Sequence, residues 1–119
     1  QIIELENEEH PNLLVEIIDL FFKTSPPYIQ SINVSLNTVN ITQASASAHA
    51  LKSSALNLGA SQLGNICQQI ENLNSESTSN LNVLKEYILK LNEIYTNTCK
   101  ELSDLKKQRT NLIVSKKVN

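Results

Sequence analysis

Apolar residues recur along this chain at steps of three and four, the spacing of helices that bury one face. Leu13, Leu14, Ile17, Ile18 and Phe21 form the first stripe and predict a helix from about Asn12 to Lys23. Thr24-Ser25-Pro26-Pro27 then reads as a stop and a fresh start, with Ser25 as N-cap and Pro26 at the first helical position. Ile29, Ile32, Leu36 and Val39 make the next stripe. Ile41, Ala44, Ala48, Leu51, Ala55 and Leu58 form a narrow seam on the following helix, which Gly59 closes as the residue past its C-cap. Ser61 is placed to cap the helix carrying Leu63, Ile66, Cys67, Ile70 and Leu73, and Asn74 to Ser79 reads as a polar loop. The last stripe is Leu84, Ile88, Leu91, Tyr95, Thr98, Leu102 and Leu105. A helix from Asn80 to about Lys107 would be about 40 Å long. It outruns its partners, so its last turns should project past the bundle or pack on the N-terminal arm. That arm, Gln1 to Glu9, reads as a short helix or ordered segment ahead of the break at His10-Pro11-Asn12. The expectation is an all-α fold: an antiparallel up-down four-helix bundle with a short N-terminal helix or arm and a long C-terminal helix. One domain covers residues 1–109, and 110–119 form a frayed tail.

Composition supports this and narrows it. The chain has 119 residues, 40% of them apolar but only 4% aromatic, so its core is aliphatic. Two glycines and three prolines are too few for a sandwich or barrel rich in turns. The net charge is −2, and the basic residues gather only at the end, in Lys106, Lys107, Arg109, Lys116 and Lys117. That end reads as a solvated tail, and the body has no basic stripe for nucleic acid. No apolar run reaches membrane-spanning length. Cys67 and Cys99 each fall in a helical pattern and read as buried free thiols of a reducing compartment, here the cytoplasm. The chain has no Met and begins at Gln1, which reads as a piece of a longer protein.

His49 is the residue that the packing pattern leaves over. It follows Ala48 by about 100° and lies about 160° from Leu51, so it points away from the core. Ser45, Lys52, Ser53 and Leu56 stand three, four or seven residues away and share its face. Short neighbours let a partner come within bonding distance of a ring nitrogen. An exposed neutral imidazole is a nucleophile, and an adjacent ammonium group can steady phosphoryl oxygens as charge develops. On geometry alone, an exposed helical histidine is more often an ordinary surface residue. His10, in a turn, has no ligand partner by spacing, and no Cys/His cluster or Gly-rich phosphate loop is present.

The run Ala48-His49-Ala50-Leu51-Lys52-Ser53-Ser54-Ala55-Leu56-Asn57-Leu58-Gly59-Ala60 resembles the signature of histidine-containing phosphotransfer domains: a small residue, His, any residue, an apolar residue, Lys, Gly, small residues, then Leu-Gly. The likeness extends over Leu63 to Glu71 and to the aromatic pair ending Ile17 to Phe22, and in all over about Asn12 to Leu105. It implies a module of a two-component phosphorelay. His49 would accept a phosphoryl group from the aspartate of a receiver domain and pass it to another receiver aspartate. Lys52 would contact the phosphoryl group. Glu71 would accept a hydrogen bond from the unreactive ring nitrogen. Ser45, Ser53, Leu56 and Glu71 would lie in the partner-binding face. The same likeness implies no kinase activity and no cofactor bound by this domain, Mg²⁺ being supplied by the response-regulator receiver. The setting is the cytoplasm, free or as part of a hybrid histidine kinase, and a bundle complete within one chain favours a monomer. Ser53 departs from the pattern, standing where the family usually has glycine. Its hydroxymethyl group should leave docking intact, but slower or selective for a partner with room there.

Two other readings compete. The dimerisation and phosphoacceptor helices of a histidine kinase also carry a helical histidine, but with an acidic residue after it and a later Thr-Pro, which Ala50-Leu51-Lys52-Ser53-Ser54 does not provide. A four-helix bundle in one chain also exceeds such a two-helix hairpin. The other rival is a degenerate helical adaptor in which His49 is incidental and not phosphorylated.

Overall fold

The structure is a computed structural model that describes residues 12–73 and 80–118, with side chains to residue 112. The expectations for the N-terminal arm, for His10 and for the loop Asn74 to Ser79 lie outside the described residues. Four helices follow one another: α1 (Leu13–Val34), α2 (Ile41–Asn57), α3 (Ser61–Glu71) and α4 (Asn80–Val118). Each packs on its two neighbours around a ring, α1 on α2, α2 on α3, α3 on α4 and α4 on α1. Cross-helix pairs give the directions. Asp19 meets Lys106, Ser25 meets Tyr95 and Asn33 meets Asn92, so α1 and α4 are antiparallel. Ser45 and Lys52 meet Glu71 while Lys52 also meets Gln68, so α2 and α3 are antiparallel as well. The result is the expected up-down bundle, 62 Å long and 20 Å across.

The core is the set of stripes read from the sequence. Leu14, Ile18, Phe21 and Ile32 come from α1, and Ala44, Ala48, Leu51 and Ala55 from α2. Leu63, Ile66, Cys67 and Ile70 come from α3, and Leu84, Ile88, Leu91 and Leu102 from α4. Three alanines on the α2 seam keep its inner face low. Interaxial distance follows the bulk of the residues at the contact, so α2 can lie close to its neighbours. That closeness brings α3 side chains within reach of the outer face of α2.

The structure corrects the reading at five places. First, α1 does not stop at Ser25: it runs through Pro26 and Pro27. A proline inside a helix removes a backbone hydrogen bond and crowds the preceding turn. Here packing on both sides outweighs that loss. Phe21 and Ile32 are buried before and after the pair, and buried Ser25 bonds the Tyr95 hydroxyl of α4 at 2.7 Å. Second, Val39 is not in a stripe. It is 63% exposed and adopts φ 53° in the turn after α1, where the Asn40 N–H reaches back to the Ser35 carbonyl at 2.9 Å. Third, Ser61 is not the cap of α3; Ala60 occupies that position, with no side-chain cap. Fourth, α4 continues as a helix to Val118, so residues 110–118 are not frayed coil. No glycine or proline interrupts it after Asn80, and Lys106 is tied to Asp19 at 2.6 Å. Fifth, the two thiols are free, but only Cys67 is fully buried; Cys99 is half-buried.

The α2–α3 corner follows the sequence closely. Gly59 has φ 72°, a left-handed conformation that glycine adopts without a Cβ clash. Its N–H bonds the Leu56 carbonyl at 3.0 Å and the Ala60 N–H bonds the Ala55 carbonyl at 2.9 Å. This pair of bonds is the Schellman closure of a helix.

Candidate functional site

Helix α2 starts at Asn40, whose side chain accepts the Gln43 N–H at 2.9 Å and so satisfies one of the open amides of the first turn. From there the buried seam fixes the rotation of the helix. Ala48 and Leu51 are fully buried, which turns His49 outward, its side chain 64% exposed.

The imidazole is held from across the groove. His49 Nδ1 lies 2.8 Å from Glu71 Oε2, and the other carboxylate oxygen, Oε1, accepts from Lys52 Nζ at 2.7 Å. Lys52 also donates to Gln68 Oε1 at 2.9 Å, and Gln68 Nε2 in turn donates to Asn72 Oδ1 at 2.8 Å. The hydrogen bond from Lys52 and, after it, the one from His49 hold the Glu71 carboxyl below the usual carboxylate range. Glu71 is therefore ionised at neutral pH and can only accept. The shared proton sits on Nδ1, which leaves the lone pair on Nε2. The carboxylate thus selects one tautomer and one ring orientation.

The other expected site residues fall around this unit. Ser45 Oγ donates to the Glu71 backbone carbonyl at 3.2 Å and ties α2 to the end of α3. Ser53 is exposed one turn beyond His49, and its hydroxyl donates back to the His49 carbonyl at 3.3 Å. The hydroxymethyl group is thereby engaged along its own helix. Leu56, 54% exposed, stands one step further along the same face. The structure brings His49, Lys52, Glu71 and Ser45 together directly and puts Ser53 and Leu56 beside them on the outer face of α2.

Two contributors were not singled out in the sequence. Gln68 holds the Lys52 ammonium; its place three residues before Glu71 puts both on one face of α3, a spacing the sequence does show. Gly64 is the other. It is buried, and a Cβ there would meet Leu56 at 2.9 Å. Behind the site, burial, with a smaller contribution from the Glu71 charge, pushes the Cys67 thiol up to about 12. It is a packing group and not a nucleophile. Among the described residues no group of three or more His, Cys, Asp and Glu side chains is arranged to hold a metal ion. None of the described helices is long and apolar enough to cross a membrane.

Comparison with known proteins gives the family. The sequence pattern of the Hpt domain matches residues 16–108, which contain the whole site. A histidine-containing phosphotransfer protein 5 of Arabidopsis thaliana is 30% identical over 67 residues, 54% of this chain and 43% of that protein. The chain therefore spans less than half the length of that relative. No solved structure matches it. With the Hpt pattern covering most of its length and the bundle that goes with it, the chain belongs to the Hpt domain family, the phosphotransfer modules of phosphorelays.

Proposed function

We propose that His49 Nε2 takes a phosphoryl group from the aspartyl phosphate of one receiver domain and gives it to the aspartate of a second. The observation that carries this is the Glu71–His49 pair at 2.8 Å, which leaves the reactive lone pair on an imidazole that is mostly exposed. In the first step Nε2 attacks phosphorus, the P–O bond to the receiver aspartate breaks, and the carboxylate leaves with the electron pair. The Nδ1 proton stays where it is, between the ring and Glu71. The ring becomes cationic on phosphorylation, and the Glu71 carboxylate offsets that charge. The second step is the reverse, with a different carboxylate as nucleophile.

Lys52 serves the transferred group. It lies one turn along from His49 on the same face, and its ammonium can exchange Gln68 or Glu71 for a phosphoryl oxygen. Mg²⁺ belongs to the receiver in this scheme; this chain supplies the nucleophile, the lysine and a low docking face formed with Ser45, Ser53 and Leu56. A core shared by four helices of one chain supports a monomer as the acting form. The free thiols Cys67 and Cys99 fit a reducing, cytoplasmic setting.

The test is direct. The chain is incubated with a radiolabelled, phosphorylated receiver domain and Mg²⁺, and acid-labile label is counted on each partner. Label moves to the chain and is absent from His49→Gln. Label acquired from ATP alone would point to the kinase-fragment reading, and no label from any receiver in a panel would point to the adaptor.

A further inference from the structure

Glycine in the middle of a helix weakens it by about 1 kcal/mol relative to alanine. Gly64 sits inside α3, buried, with no turn or positive φ that would call for it. What it does is make room. A Cβ at this position would stand 2.9 Å from Leu56 Cδ2 and 3.4 Å from Leu56 Cγ, the first too close for any real contact. The leucine side chain reaches the recess that the missing Cβ leaves, and the residue stays 54% exposed.

Leu56 is the exposed large apolar residue of α2 among those described; the others lie on α1, on α4 or in the turn after α1. It is also two turns from His49 on one face, about 10 Å along the helix, with Ser53 between them. That distance is well within the footprint of a docked domain. An exposed leucine whose methyl end seats in a glycine recess is restrained before the partner arrives, so it loses less side-chain freedom on binding. We propose that Gly64 is a positioning residue for receiver selection. It sets the height and direction of Leu56, and the seated leucine favours receivers that present an apolar side chain next to their phosphorylated aspartate. This rests on the reading of His49 as the acceptor of a receiver's phosphoryl group.

The test uses the wild-type chain, Gly64→Ala, Leu56→Ala and the double variant. Two donors are compared: the phosphorylated receiver of a panel that gives the fastest wild-type transfer, and phosphoramidate. In phosphoramidate the P–N bond breaks as His49 attacks and ammonia leaves, so no docking surface is needed. Gly64→Ala keeps its helix content and raises the apparent KM for the receiver by about five-fold, the worth of covering the half of a leucine that still faces water. Its labelling by phosphoramidate is unchanged. Leu56→Ala, which crowds nothing, raises KM by a similar factor. In the Leu56→Ala background Gly64→Ala has no further effect. An unchanged KM in either single variant overturns the inference, as does a Gly64→Ala effect that persists without the leucine. Equal loss with phosphoramidate also overturns it, because the change would then act on His49 itself. If phosphoramidate labels His49 but no receiver does, the proposed function fails and the inference falls with it.

Discussion

Ala48 is the residue on which the site's geometry leans most, and Ala48→Leu is the perturbation that shows it. The Ala48 side chain is fully buried on the seam that sets the rotation and depth of α2. Leucine adds three carbons where no space exists. Overpacking of this kind destabilises by about 1–3 kcal/mol. Taking about 2 kcal/mol, the melting temperature of a domain this size falls by roughly 8 °C. The strain is relieved by moving α2 outward, and the adjacent His49 moves with it. A hydrogen bond of 2.8 Å weakens steeply once its partners separate by an ångström, so the Glu71 contact that selects the tautomer is lost. Two assays read the two effects: chemical denaturation for stability, and the nitrogen chemical shifts of the His49 ring for the tautomer. Ala46→Leu is the control, since Ala46 is exposed on the same helix and its replacement should stay within about 0.5 kcal/mol of wild type. Wild-type stability in Ala48→Leu, with the proton still confined to Nδ1, would refute the reasoning.

Lys52→Ala should slow transfer from a phosphorylated receiver while leaving the circular dichroism spectrum intact, because the lysine packs on the rim and not in the core; an unfolded variant would contradict this. Asn40→Ala removes the α2 cap, seen in the bond to the Gln43 N–H, and should cost about 1 kcal/mol in urea denaturation with no change in the m-value. Glu71 gives a pH dependence of known sign. Its carboxyl is held below the usual carboxylate range, first by Lys52 and then by His49, so its contribution is present above that range and is lost as pH falls through the lowered folded value. Glu71→Gln should therefore be less stable than wild type at neutral pH, and the gap should narrow as the carboxyl becomes protonated in acid; a gap that widens in acid would reverse the assignment.

What was legible in the sequence was local. The α2 seam from Ile41 to Leu58 and the Gly59 corner could be read because periodicity and a left-handed glycine each act within one or two turns. The outward aim of His49 followed from the seam alone. The Ser25-Pro26-Pro27 run reads locally as a break, whereas burial of Phe21 and Ile32 and the Tyr95 contact carry the helix through. Val39 had the right spacing for a stripe, but the chain had already turned. Glu71 was placed near His49 through the family likeness. The chain pattern does not give the register of α2 against α3, so the link of Lys52 to both Glu71 and Gln68 appeared only in three dimensions. Gly64 carried no signal beyond being a weak helix former, because what explains it is a leucine on another helix.

The claim that most of this rests on concerns a single atom. The chain should be phosphorylated by a receiver, the modified residue mapped by mass spectrometry, and the linked nitrogen identified by phosphorus–nitrogen coupling in the NMR spectrum. The account predicts phosphate on His49 at Nε2, with the Nδ1 proton retained opposite Glu71. Phosphate at Nδ1, or on any other residue, would contradict it.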